Sequence, residues 1–238
     1  MDKNVDDLIR TLQLTPHAPK DGEDIFTGLS QPMPHGRVYG GQVMAQALIA
    51  ATETVAADRT VHSLHGYFLR AGDATQDIEF QVERLTDGRS FSTRRTTAMQ
   101  NGKAILSMIA SFQIDEPGFT HQIDWPEDMP QPEDLESSSG ILAEFDHPVA
   151  QYWAHERPFD LRYVHEPMII QVDEANAIPH SAVWIRQDGR MDDWVLYAIE
   201  SPSSAKGRGL SIGRIYNRQG ELLATVAQEG LIRVPHEA

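Results

Sequence analysis

The sequence contains no cysteine, no long hydrophobic run and far fewer basic than acidic residues. Without cysteine, the chain has no disulfide, no thiolate nucleophile and no cysteine-bound zinc. No apolar stretch approaches the ~20 residues that a membrane-spanning helix requires. The 20 Lys and Arg against 35 Asp and Glu residues give a formal net charge of −15. We therefore predict no nucleic-acid partner, because non-specific nucleic-acid binding requires a positive surface.

Two sequence patterns bear on catalysis. The one Gly-x-Ser-x-Gly match, Gly209–Gly213, falls within a predicted strand and not at a strand-to-helix turn, which argues against a serine hydrolase of the α/β type. The histidines are scattered without the spacing of metal ligands, so we predict no metal site. The first residues, MDKNVDDLIRTL, are charged and amphipathic, unlike a secretory signal, and we expect a cytoplasmic protein.

The stretch Arg37–Val55 carries the strongest helical pattern. Apolar residues recur in it with helical period, and its other face is scarcely more polar, which is typical of a core helix. Gly40 and Gly41 open the stretch, so side chains leave the first amides of the helix uncovered. The segment of Gly40, Gly41 and Gln42 is either a tight turn into a buried helix or a site whose amides polarise a substrate carbonyl.

Strand patterns surround this helix in the first half. Asp77–Leu85 alternates apolar and polar residues, as a half-buried strand does. Gln100-Asn101-Gly102 predicts a hairpin turn. We expect an antiparallel meander of about four strands after the helix and one strand before it. The predicted elements are a short N-terminal helix within 6–14 and strands within 24–30, 60–70, 77–85, 90–99 and 104–114.

Residues 116–156 form an acidic, proline-rich stretch with little core potential, which we interpret as a linker. We accordingly predict three regions, an N-terminal domain (1–115), this linker (116–156) and a C-terminal domain (157–238). Strands are predicted in the last region at 157–165, 181–186, 194–200, 209–217 and 222–234.

The second half repeats a hairpin of the first. When Gly220 is placed on Gly102, Val226 falls on Met108 and Gln228 on Ala110. A repeated hairpin suggests two copies of one fold. No Gly-Gly-led helix lies at the corresponding position, so the second copy is expected to lack its helix and at least one strand.

Several motifs together resemble the acyl-CoA thioesterase II family. The matching stretches are VYGGQVMAQAL, TVHSLHGYFLRAGD, RLTDGRSFSTRR, MQNGKAILSMIASFQ, ESPSSAKGRGL and VAQEGLIR. The resemblance implies an α+β double hotdog fold of two antiparallel sheets, with a long central helix in the first half. It also implies hydrolysis of fatty acyl-CoA to a free fatty acid and CoA, without a cofactor or metal.

The family's active centre combines an aspartate, a serine or threonine, and a glutamine from the second half. The glutamine of the VAQEG motif corresponds to Gln228, whose other interpretation is an amide that ties down a strand. The aspartate and hydroxyl positions fall in a segment that this sequence lacks between SAVWIR and MDDWVLY. Two alternatives therefore stay open, a catalytically silent acyl-CoA-binding or assembly module of the same fold and a hotdog dehydratase.

Basic residues are candidates for the CoA phosphates. Arg89, Arg94 and Arg208, with Arg95 and Lys206, form either a local basic surface or ordinary solvated pairs with the abundant carboxylates. A missing core helix would leave a sheet face open unless another subunit covers it, so we expect a homo-oligomer.

Overall fold

Four α-helices and ten strands form in the described part of the chain, which comprises residues 3–164, 180–187 and 189–231. The helices are α1 (Lys3–Leu12), α2 (Gly40–Thr52), α3 (Ser138–Ala143) and α4 (Pro148–His155). The strands before residue 115 are β1 (Thr15–Lys20), β2 (Glu23–Gly28), β3 (Arg59–Phe68), β4 (Ile78–Asp87), β5 (Phe91–Gln100) and β6 (Lys103–Ile114). Those after residue 179 are β7 (His180–Ile185), β8 (Val195–Ala205), β9 (Arg208–Asn217) and β10 (Leu222–Leu231).

Helix α2 packs on one face of β3, β4, β5 and β6, as the apolar pattern predicts. Its small residues Ala47, Ala50 and Ala51 are fully buried and allow the sheet to approach closely. Alternate residues of β4 supply the other side of this core, as period-two patterning predicts. The fully buried sheet residues include Ile78, Phe80, Val82, Leu106, Met108 and Phe112.

The predicted hairpin turn between β5 and β6 is confirmed. Asn101 and Gly102 both have positive φ angles, 49° and 70°. Two consecutive residues of this kind form the tight turn whose twist matches that of paired strands. The turn fixes the register of β5 and β6, and with it the face that each side chain occupies.

All ten strands join into one antiparallel sheet in the order β1-β2-β4-β5-β6-β3-β7-β10-β9-β8. The strands β3–β6 and β7–β10 occur in the same spatial arrangement on either side of the β3–β7 junction. His65 of β3 pairs with Ala182 of β7 at this junction, and the order of pairing outward from it is β3-β6-β5-β4 on one side and β7-β10-β9-β8 on the other. The sequence prediction of a repeated unit is thus confirmed by topology.

Some elements differ from the sequence predictions. The sequence does not predict strand β1, because TPHAPK holds two prolines. In the structure this strand is exposed throughout, as suits the edge of a sheet. Residues 157–164 form no strand and contribute only an isolated bridge between Arg162 and Ser137, so that strand prediction is wrong. His165 lies outside the described residues. Over 180–187 and 189–231 the structure contains no helix. Because residues 165–179 lie outside the described part of the chain, the expected lack of a second helix stays a prediction.

The acidic segment 116–156 lies against both halves. Gln122 donates to the Gly220 carbonyl at 2.8 Å and accepts from the Leu222 amide at 3.0 Å, which attaches the segment to the β9–β10 hairpin. Helices α3 and α4 pack on each other within the same segment. Asn4 of α1 donates to the His155 carbonyl at 2.7 Å. The three-region division of the chain stays a prediction.

Candidate functional site

Gln228 projects from the sheet on the same side as helix α2. It pairs directly with Ser181 of β7, which pairs with Gly66 of β3. Directly paired residues of antiparallel strands project to one face. A Cβ atom at Gly66 would lie 2.9 Å from the terminal methyl carbon of Met44 in α2. The face that carries Ser181 and Gln228 is therefore the helix-covered face of the first half, extended into the second.

Matching the strand pairs of the two halves places Gln228 and Ser181 at the positions of Ala110 and Leu64. Leu64 and Ala110 pair directly on β3 and β6, as Ser181 and Gln228 do on β7 and β10. In the first half both positions are apolar and buried under α2. In the second half both are polar.

The polar pair retains free hydrogen-bonding capacity. Ser181 is 6% exposed and Gln228 is half-buried. Within the described residues neither side chain makes a hydrogen bond, although a buried polar group normally has a partner. Along β7, β9 and β10, the positions on this face include no carboxylate. The arrangement offers an amide and a hydroxyl to a substrate or a water molecule.

The start of α2 lies on this same face. Helix α2 begins at Gly40, and Tyr39 before it provides no side-chain cap. Gly40 permits close contact with Phe68, since a Cβ atom at that position would lie 2.9 Å from the Phe68 ring. Within the described residues the amides of Gly40 and Gly41 donate to no protein group. They stay available to a carbonyl oxygen, as one of the two sequence interpretations requires.

The side chain of Gln42 is held by hydrogen bonds within the protein. Its Nε2 donates to the Leu29 carbonyl at 3.0 Å and to Gln46 Oε1 at 3.1 Å. Its Oε1 accepts from the Gln31 amide at 3.1 Å. Gln46 is fully buried and donates to the Thr11 carbonyl at 2.8 Å. These two glutamines attach α1 and the chain after β2 to α2, so only the backbone amide of Gln42 is left for a ligand.

Arg94 is a buried structural residue in this fold. Its side chain is 1% exposed and fills the space beside the end of α2. It donates to Thr54 Oγ1 at 2.8 Å, to the Thr54 carbonyl at 3.0 Å and to Asp87 at 2.7 Å. It also donates to the carbonyls of Thr86 and Thr93. The structure thus does not place Arg94 on a basic surface, because its donors are committed inside the protein.

The other two predicted arginines are exposed and belong to different hairpins of the sheet. Arg89 follows the turn after β4, and Arg208 begins β9. Arg208 forms an ion pair with Glu229 at 3.1 Å. Glu229 is the neighbour of Gln228 along β10, so both partners of this ion pair lie on the opposite face of the sheet. The structure does not bring these three arginines together.

The described residues contain no group of three or more His, Cys, Asp and Glu side chains arranged to hold a metal ion. No helix in the described ranges is long and apolar enough to cross a membrane.

Ser181 is the candidate residue that sequence reasoning missed. It opens the SAVWIR stretch, whose apolar residues predict a strand but carry no motif for a site. The repeated hairpin already equates Gln228 with Ala110. Placing Ser181 opposite Gln228 also requires the register of β7 against β10. One sequence does not supply that register.

Comparison with known proteins identifies the family. Residues 29–113 match the family model described as the acyl-CoA thioesterase N-terminal domain, and residues 160–231 match the acyl-CoA thioesterase model. Acyl-CoA thioesterase 2 of Haemophilus influenzae is 32% identical, over 96% of this chain and 98% of the relative. The chain belongs to the acyl-CoA thioesterase family. Human acyl-coenzyme A thioesterase 8 is also 32% identical, over 89% of this chain and 85% of the relative.

Solved structures confirm the double hotdog architecture. Acyl-CoA thioesterase II TesB2 from Mycobacterium marinum superimposes with a TM-score of 0.74 at 34% identity, covering 96% of this chain and 99% of that one. A hot dog protein from Alicyclobacillus acidocaldarius gives a TM-score of 0.71 at 17% identity, covering 96% of this chain and 98% of that one, which shows the fold alone.

Part of one relative has no counterpart in this chain. The alignment with the Haemophilus influenzae protein spans 284 positions, which exceeds the 238 residues of this chain by 46. The relative therefore contains at least that many residues with no counterpart here.

Proposed function

We propose that this chain hydrolyses fatty acyl-CoA thioesters to a free fatty acid and CoA. In this reaction water adds to the thioester carbonyl, the carbon–sulfur bond breaks and the sulfur leaves as the CoA thiol. The observation that carries the proposal is the polar pair of Ser181 and Gln228 at positions that are apolar in the first half. Family membership supports the substrate class.

Gln228 and Ser181 act together on the attacking water in this proposal. A glutamine amide can accept a hydrogen bond from water and donate one to the substrate, and a serine hydroxyl can do both. Holding water in the attacking geometry lowers the entropic part of the barrier. The amides of Gly41 and Gln42 stabilise the oxyanion that develops on the thioester carbonyl. No cofactor is required by this chemistry.

The test is thiol release from acyl-CoA substrates of several chain lengths. We expect Gln228→Ala to lower kcat by about 100-fold or more, the size of effect produced by loss of one preorganised polar group. Thr225→Ala is the matched control, because Thr225 lies on the same strand but on the opposite face. Unchanged turnover in Gln228→Ala would contradict the assignment. Saturable acyl-CoA binding without thiol release in the wild type would favour the silent binding module.

We further propose that the chain forms a homo-oligomer. On the α2 side of the second half, Tyr197 is 46% and Ile199 56% exposed. Large apolar side chains exposed on a sheet face often mark an interface. Light scattering after size-exclusion chromatography tests this, and a monomer at every concentration would contradict it. A cytoplasmic location stays a prediction from the sequence.

A further inference from the structure

Arg157 differs from the arginines that this acidic protein pairs with carboxylates. Arg84 binds Asp24 at 2.7 Å, and Arg214 binds Glu200 at 2.9 Å. The guanidinium of Arg157 forms no ion pair and no hydrogen bond within the described residues, although Glu156 precedes it in the chain. A free cation is notable in a chain with net charge −15.

A tryptophan fixes the orientation of this guanidinium. The central carbon of the Arg157 guanidinium lies 3.3 Å from the ring centroid of Trp153, one helical turn earlier in α4. Stacking of this kind uses the face of the guanidinium and leaves its N–H groups free at the edges. These edges form the fork that binds phosphate oxygens bidentately.

Arg157 is also partly removed from water. Burial lowers the pKa of the guanidinium, and the phenols of Tyr39, Tyr163 and Tyr152 oppose that change. An arginine nevertheless stays charged at neutral pH. A half-buried, charged and unpaired donor attracts an anion more strongly than a fully solvated one does, because the effective dielectric constant around it is lower.

Hydrogen bonds place Arg157 beside the helices of the first half. The backbone carbonyl of Arg157 accepts from Asn4 of α1 at 3.5 Å. In the same helix, the Thr11 carbonyl accepts from Gln46 of α2 at 2.8 Å. Helix α1 thus joins Arg157 to α2, which lies on the same face of the sheet as Gln228.

We propose that Arg157, held on the Trp153 ring, binds a phosphate group of the CoA portion of the substrate. The proposal rests on the proposed thioesterase function and names the residue that recognises the part of the substrate remote from the thioester. The acyl and pantetheine portions carry no phosphate, so the contribution of Arg157 is confined to the nucleotide end.

The experiment measures CoA binding by calorimetry beside thiol release from two substrates. Replacing one bidentate charged contact should weaken CoA binding by about ten- to a hundredfold in Arg157→Gln. The same variant should raise KM for acyl-CoA with little change in kcat, since the contact is equal in ground state and transition state. Hydrolysis of the matching acyl-pantetheine, which lacks phosphate, should be unaffected. Trp153→Leu should give a smaller loss of CoA affinity.

Controls separate this proposal from the proposed function. Arg190→Gln removes the same charge from an exposed ion pair with Asp192 and should bind CoA as the wild type does. Gln228→Ala should bind CoA as the wild type does even though its kcat for thiol release falls by about 100-fold or more. Unchanged CoA affinity in Arg157→Gln, or an equal loss in Arg190→Gln, overturns the proposal. If Arg157→Gln folds poorly, as judged by its melting temperature, Arg157→Lys keeps the charge and should lose affinity for want of the planar fork.

Discussion

Leu64 and Ala110 in the first half, and Ser181 and Gln228 in the second, occupy equivalent positions beside the β3–β7 junction. The first pair is buried beneath α2 and belongs to the main hydrophobic core. The second pair lies on the continuation of the same face, where the described residues provide no covering helix. The same strand arrangement thus supports a packed core in the first half and a polar site in the second half.

The difference between these halves follows from the cost of burying polar groups. An amide beneath α2 would have to find hydrogen-bond partners among apolar side chains, at a cost of several kcal/mol. In the second half, where the described residues place no helix over this face, water or substrate can satisfy the same amide. The comparison predicts that the first half tolerates little change at its inner positions and that the second half tolerates more.

The largest expected loss of stability comes from Arg94. Arg94→Ala would remove the donors that bind Thr54 and Asp87 and leave a cavity beside α2. We expect the free energy of unfolding to fall by about 3–4 kcal/mol, measured by urea denaturation. Arg95→Ala is the matched control, because the adjacent side chain is 47% exposed and pairs with Glu83. Similar losses in the two variants would contradict a structural role for Arg94.

A reciprocal exchange tests the comparison directly. Ala110→Gln should lower the free energy of unfolding by about 2–3 kcal/mol, since it overpacks a buried site with an unsatisfied amide. Gln228→Ala should change it by less than about 1 kcal/mol, because Gln228 makes no hydrogen bond within the described residues. Denaturation midpoints at constant m-value measure both. Equal costs at the two positions would show that the second half is as tightly packed as the first.

Much of this architecture was predictable from the sequence, because its signals are local. The period of α2, the alternation of β4 and the Asn101-Gly102 turn each occupy a few consecutive residues. The repeated hairpin could be found because the same turn and apolar pattern recur at Gly220. Strand β1 has no such signal, since its prolines are compatible with a sheet edge but also with a loop.

The site was predictable only in part. Gln228 could be identified from its motif and from its contrast with Ala110. Ser181 depends on strand register, which one sequence does not supply. Polar residues flank Arg94, so the sequence alone predicts a surface position for it, and that prediction is wrong. Only tertiary structure shows that its side chain points beneath α2 while that of Arg95 points to solvent.

A smaller effect concerns the pH dependence of stability. Hydrogen bonds from Ser92 and Arg94 hold the pKa of the Asp87 carboxyl below its usual range. A carboxyl with a lowered folded-state pKa contributes stability above its unfolded pKa of about 3.9 and loses that contribution as pH falls through the folded value. Asp87→Asn should therefore have a lower free energy of unfolding than the wild type at pH 7. This difference should shrink as the pH falls below about 3.9. A difference that persists unchanged at pH 2 would contradict this account.

The smallest effect is expected at Arg208, which the sequence grouped with Arg94. Its ion pair with Glu229 is solvent-exposed, and such pairs contribute about 0–1 kcal/mol. The sheet itself separates it from Gln228. Arg208→Gln should change the free energy of unfolding by less than about 0.5 kcal/mol and the CoA dissociation constant by less than about twofold. A tenfold loss of CoA affinity in Arg208→Gln would instead place the CoA phosphates on the face opposite Gln228 and would contradict a site on the α2 side of the sheet.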